Sequence, residues 1–263
     1  MWRRARPPGN SIAIAMLGYE WNLLLIVTLA FVAGGAVKGV VGMGLPAVAM
    51  AGLGLALGPQ DGLPLLVVPA FLTNLWQAAI GGYLLALLRR FWPMLVACLA
   101  GTWLGVAAFV ATDVKLLNAA LGASLAIYSV LGLAKFYITV APRWAWPLQV
   151  PFGLASGLMA GMTGAVVVPV VFYLGALRLH RDEYIQALGL IFATAMLALG
   201  AALTSHDAFS GDQFVLSSLA MIPAAIGMLL GQAVRARVAP EQFRRVVFLG
   251  LLLVGAGMIV KAL

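Results

Sequence analysis

Apolar residues in this chain run on in long, continuous segments with no alternation of period two. Eight such segments, 22–57, 63–88, 91–111, 116–140, 148–177, 184–203, 214–234 and 243–263, are separated by short polar connections. A helix crossing a bilayer takes about 20 residues, and a transmembrane strand would alternate. The pattern therefore predicts an all-α polytopic membrane protein with one crossing for most segments. The first and fifth segments are too long for a simple crossing, and glycine interrupts both. The longest polar connections, 143–149, 178–183, 206–213 and 235–242, leave no room for a soluble domain. Trp92, Trp144 and Trp146 stand beside loops, where an aromatic belt is expected.

Composition agrees: 63% of the residues are hydrophobic and 9% charged. A soluble domain of this size cannot hide so much apolar surface. The net charge of +8 does not point to nucleic acid, because the arginines sit in short loops, as the positive-inside rule requires. The single cysteine, Cys98, excludes an internal disulfide, and with His180 and His206 in loops no metal or cofactor pattern remains. The basic start "MWRRARPPGN" lacks an A-x-A-like cleavage site, so residues 1–21 read as a retained tail.

The two halves resemble one another. A shift of 122 positions brings Gly35, Gly39 and Gly42 onto Gly157, Gly161 and Gly164, and Pro46 falls one place short of Pro169. A shift of 126 brings Gly101, Gly105 and Lys135 onto Gly227, Gly231 and Lys261. Each half, 22–141 and 148–263, is one glycine-broken segment followed by three ordinary spans. Arg89, Arg90, Arg143, Arg178, Arg181, Arg235, Arg237, Arg244 and Arg245 mark cytoplasmic connections, whereas Asp61, Asp207 and Asp212 mark the other side. Arg143 and Arg178 then flank the fifth segment on one side, so that segment must enter and return. The halves become inverted repeats, each a re-entrant broken helix plus three transmembrane helices. Arg3, Arg4 and Arg6 disagree with this assignment, and parallel halves with kinked first and fifth spans are the plainer alternative.

Glycine-interrupted segments at matching places in inverted repeats point to a secondary transporter's binding site. A broken helix frees backbone groups that need partners, and the N-terminus of a half-helix suits an anion. Glycines at this spacing also pack helices closely, so each glycine alone is as well explained by packing. Lys38 is the one charge well inside a span. It either snorkels, finds a buried partner, or holds an anionic substrate. All eight acidic residues sit in loops or at span ends, so a carboxylate proton relay has no candidate. Thr73, Asn74 and Gln77 form a polar group after Pro69, with Thr163 and Thr194 as weaker counterparts; interhelical hydrogen bonding is the competing role. Pro223 predicts a kink in the seventh span.

"GGAVKGVVGMGLPAV" at 34–48, followed by "GLASGLMAGMTGAVVVP" at 153–169, resembles the TauE/SafE family of sulfite exporter-like permeases, also known for toluene sulfonate uptake. The similarity covers nearly the whole chain beyond the tail. It implies an inner-membrane carrier of sulfite, sulfonates or related carboxylates, and places Gly39, Gly42, Gly44, Pro46, Gly161, Gly164 and Pro169 in its motif positions. The second motif lacks a glycine expected around Ala165 to Val167, and the role of Lys38 rests on physical argument alone. The sequence thus reads as an alternating-access transporter of a small anion, with Lys38, Thr73, Asn74 and Gln77 in a site near mid-membrane. Its partners are the anionic solute and the lipid bilayer, with no nucleic acid and no cofactor. The coupling ion, proton or sodium, stays open, and small-residue faces permit a homodimer without requiring one. A passive anion channel and a non-transporting assembly subunit are the competing classes; an enzyme would need a nucleophile, base or metal cluster that the chain does not offer.

Overall fold

The computed structural model describes residues 21–134, 139–164, 167–235 and 240–262. The expectations for Arg3, Arg4, Arg6, Lys135, Ala165, Val166 and Arg237 lie outside them. The described residues are helical, with no strand among them: α1 (Trp21–Val41), α2 (Leu45–Ala56), α3 (Pro59–Ala79), α4 (Leu84–Ala111), α5 (Val114–Ala134), α6 (Pro142–Ala145), α7 (Gln149–Thr163), α8 (Val167–Ala176), α9 (Arg181–Ser205), α10 (Gly211–Leu219), α11 (Met221–Arg235) and α12 (Pro240–Ala262). Seven stretches are long and apolar enough to cross a membrane: α1, α3, α4, α5, α9, α10 with α11, and α12. The chain is a multi-pass membrane protein.

Both over-long segments break where glycine takes a left-handed backbone. Gly42 (φ 87°) ends α1 with its N–H bonded to the Lys38 carbonyl at 2.7 Å, and Gly164 (φ 72°) ends α7 with its N–H bonded to the Ala160 carbonyl at 2.8 Å. A side chain is strained in that conformation, so glycine sets each stop. After the first break Gly44 (φ 103°) caps α2, which runs back along α1. A Cβ on Gly34 would lie 3.4 Å from that of Ala49, and one on Gly52 2.7 Å from that of Ala30. After the second break α8 runs back along α7: the Phe152 and Tyr173 rings lie 5.3 Å apart, the Tyr173 hydroxyl donates to the Ala145 carbonyl, and the Val140 N–H meets the Ala176 carbonyl at 3.5 Å. Each broken segment is thus a helical hairpin.

Two interfaces are built by opposed glycines. A Cβ on Gly35 would lie 2.2 Å from the Ala224 carbonyl oxygen and one on Gly39 2.3 Å from that of Met228, while Gly227 and Gly231 meet the Val32 and Ala36 carbonyls at 2.1 Å each. The rising numbers on both sides make α1 and α11 parallel. In the same way Gly157 and Gly161 on α7 meet the Cys98 and Thr102 carbonyls, and Gly101 and Gly105 on α4 meet those of Leu154 and Leu158, so α4 and α7 are parallel. No larger residue allows backbones this close. α3 and α9 are antiparallel: Gly189 lies against Asn74 and Ala78 while Gly200 lies against Val67, and Gln77 donates to the Ile185 carbonyl and Gln186 to that of Ala78, each at 2.7 Å. α5 and α12 are antiparallel too, with Gly122 against Gly255 and Gly132 against Phe248.

Two sequence boundaries move. The turn after the second span falls at 80–83, earlier than the expected 89–90, because Gly81 (φ 131°) and Gly82 (φ 81°) reverse the chain there. Arg89 and Arg90 are therefore exposed residues within α4, not a loop, although they stay near its first turns. The seventh span divides at Ala220 into α10 and α11, where Pro223 interrupts the helical bonding. Trp92, Trp144 and Trp146 are exposed.

Candidate functional site

Lys38 stands in the last turn of α1, four residues before the break, and is only 5% exposed. Its Nζ donates to Oδ1 of Asn74 on α3, which is itself buried. An ammonium has donors and no acceptor, so the amide oxygen must face it and Nδ2 is turned away. Asn74 Nδ2 is buried without a hydrogen-bond partner. The pair therefore holds unused donors on both sides.

Lys38 also lines a cavity of about 560 Å³, together with Gly39, Gly42 and Met43 from the first hairpin. α3 contributes Thr73, Trp76 and Gln77, α9 contributes Arg181, Tyr184, Ile185 and Leu188, and α11 contributes Met228, Gln232 and Arg235. Three lining residues are cationic, and no carboxylate lines the cavity among the described residues. Arg181 and Arg235 belong to the basic connections, so the cavity leads from that face of the molecule to Lys38. Asn74 is five residues from the end of α3, about 7–8 Å along a helix. With Lys38 three residues from the end of α1 and Asn74 midway between the centre and the end of α3, the pair lies in the basic half of the bundle rather than at its middle.

The residues singled out from sequence separate into groups. Lys38 and Asn74 are bonded, and Gly39, Gly42, Thr73 and Gln77 share the cavity with Lys38. Gln77 spends its amide N–H on the Ile185 carbonyl of α9, the interhelical bond that was its competing role, whereas Thr73 turns its hydroxyl onto the Pro69 carbonyl of its own helix at 2.7 Å. Gly44 and Pro46 form the start of α2, and Pro46 is buried. Gly39 is in addition one of the tight glycines against α11, and Gly161 is one against α4.

The second-half candidates do not line this cavity. Gly164 is covered instead: a Cβ there would meet Leu63, Leu66 and Met50 within 3.2 Å. Thr163 donates to the Met159 carbonyl and Thr194 to that of Leu190, and Pro169 is half-buried in α8. The shift that aligns Gly42 with Gly164 sets fully buried Ala160 opposite Lys38, so the second half carries no matching cation.

Sequence reasoning missed Trp76, Arg181, Tyr184, Gln232 and Arg235. The arginines were read only as markers of sidedness, and the hairpin brings them to one mouth. It also missed Gln186, whose Oε1 accepts the Tyr83 N–H at 3.0 Å while its amide donates to Ala78. A second glutamine at the facing register of the neighbouring span was the available signal.

No curated protein and no solved structure matches the chain. The family model described as sulfite exporter TauE/SafE matches residues 26–258, nearly the whole length. With its glycine-broken hairpins and seven span-length stretches among the described residues, the chain belongs to the TauE/SafE family of membrane transporters.

Proposed function

We propose that the protein is a secondary carrier of small anions, sulfite, sulfonates or related organosulfur and carboxylate compounds, working by alternating access in the cell's inner membrane. The observation that carries this reading is the cavity lined by Lys38, Arg181 and Arg235 with no carboxylate among its described lining residues. An anion entering from the basic face meets positive potential along the whole path. Its oxygens supply acceptors to Lys38, which has donors left over beyond Asn74. The N-terminus of α2, which has no side-chain cap, adds partial positive charge beside Gly42 and Met43.

The inverted repeat of residues 22–141 and 148–263 is part of the same proposal. Its support is directional. If α1 points one way, the hairpin and the 80–83 turn give α3 the same direction and α4 the opposite one; the parallel and antiparallel contacts then orient α7 and α9 with α4, and α11 with α1. Every matched pair, α1 with α7, α3 with α9 and α4 with α11, is opposed. The meeting of Val140 and Ala176 supports a re-entrant fifth segment. Inverted repeats with broken helices are the architecture in which one half rocks against the other. A carrier is favoured over a passive channel by the closure on the far side, where Leu63, Leu66 and Met50 cover the second break.

The test is thermal stability of the purified protein in detergent, titrated with sulfite, sulfoacetate, methanesulfonate, thiosulfate and acetate. A ligand that binds only the folded state raises the melting temperature in a saturable way. We expect that rise with a sulfur oxyanion and its loss in Lys38→Ala. A Lys38→Ala protein that melts normally and keeps the full shift would remove Lys38 from the site.

A further inference from the structure

A buried lysine in a carrier must have its charge balanced in every state that crosses the membrane. The hydrogen bond of Lys38 goes to a neutral amide oxygen, which does not compensate the charge. α2 has no titratable residue, and α3 offers Thr73, Asn74 and Gln77. α9 brings Arg181 and Tyr184 to the cavity, while Asp182 and Glu183 on the same turn do not line it. α11 brings Gln232 and Arg235, and Glu241, Arg244, Arg245 and Lys261 of α12 are off its wall. Among the described residues, all charge that lines the cavity is positive.

Closing such a cavity over an ammonium alone would bury an unpaired charge, which is strongly unfavourable. Two states avoid this: an ammonium beside a monovalent anion, and a free amine in an empty site. We infer that Lys38 carries the coupling proton. The protonated amine and the anion cross as a neutral pair, and the empty carrier returns with the amine deprotonated. One proton passes from water on one side to the lysine nitrogen and is released to water on the other, with each anion carried. The inference rests on the anion-carrier reading, and it answers the absence of an intramembrane carboxylate in the sequence.

The experiment uses the full chain in liposomes with labelled methanesulfonate, whose charge does not change across the working pH range. Counterflow at equal pH on both sides reports the carrier itself. With voltage clamped by potassium and valinomycin, one pH unit of outside-acid gradient should drive transient accumulation of up to about tenfold. An imposed potential at equal pH should drive none. In Lys38→Arg the cation is permanent, so exchange is slowed but the ratio of net uptake to exchange collapses. Counterflow without pH-driven accumulation, accumulation driven by potential, or a wild-type ratio in Lys38→Arg would each overturn the inference and leave the carrier reading standing. Absence of counterflow would overturn both. The wild-type arms decide even where Lys38→Arg melts early in detergent.

Discussion

Glycine does two different jobs in the two motifs, and the structure separates them residue by residue. Gly35, Gly39, Gly157 and Gly161 let helix backbones touch, whereas Gly42 and Gly164 stop a helix through a positive φ. Spacing alone could not divide them, because both uses put glycine on one stretch of apolar chain. Proline and serine make a similar division of labour at Leu65. Pro69 has no N–H, so the Leu65 carbonyl loses its helical donor. Ser217 on α10 replaces it at 2.9 Å and also accepts the Val68 N–H at 3.0 Å. Ser217→Ala should leave the Leu65 carbonyl unpaired within the apolar interior. The expected loss is about 1–3 kcal/mol of stability, read as a lower melting temperature in detergent with the same helix content by circular dichroism. Ser217→Cys, which keeps a weak donor, should lose less.

At the scale of elements, the spans were legible because a bilayer demands long apolar helices, and the hairpins were legible because glycine marks their tips. What was not legible is which helix each glycine face meets. That choice depends on pairs far apart in sequence, such as Val32 with Gly227 and Cys98 with Gly157. Arg89 and Arg90 were read as a loop because charge ordinarily ends a span; α4 instead carries them at its exposed start while Leu87 and Phe91 are buried. The interlocked faces make a sharp prediction. A Cβ at position 227 would lie 2.1 Å from the Val32 carbonyl, a backbone atom that cannot step aside. Gly227→Ala should therefore spread α1 from α11 and cost about 1–3 kcal/mol, as overpacking does in tight cores. Gly257, on α12, has nothing within 4 Å of such a Cβ. Gly257→Ala should leave the melting temperature unchanged or raise it slightly, since alanine favours a helix by up to about 1 kcal/mol. Equal losses at both positions would mean that the α1–α11 contact is not a close one.

On the scale of the whole molecule, the site arises only when the first hairpin and α3 of one half meet α9 and α11 of the other. Lys38, Arg181 and Arg235 belong to three helices separated by long stretches of sequence, yet they line one cavity on one face. The sequence held the charges but not their convergence. Sidedness decides whether that face is the one proposed, and it can be measured directly. Cys98 is the only cysteine and is buried, so the chain gives little background to a membrane-impermeant maleimide. Arg143, Arg178 and Asp207 are exposed, which makes them suitable for single cysteine replacements. Arg143→Cys and Arg178→Cys flank the fifth segment, where Val140 before it meets Ala176 at its end, and they should label from the same side of oriented vesicles. Asp207→Cys, at the far end of α9 and so one span away from Arg178, should label only from the other. Labelling of positions 143 and 178 from opposite sides would make the fifth segment a crossing helix and restore parallel halves. The two hairpins would then no longer be related by inversion, and rocking of inverted halves could not carry an anion from one face to the other.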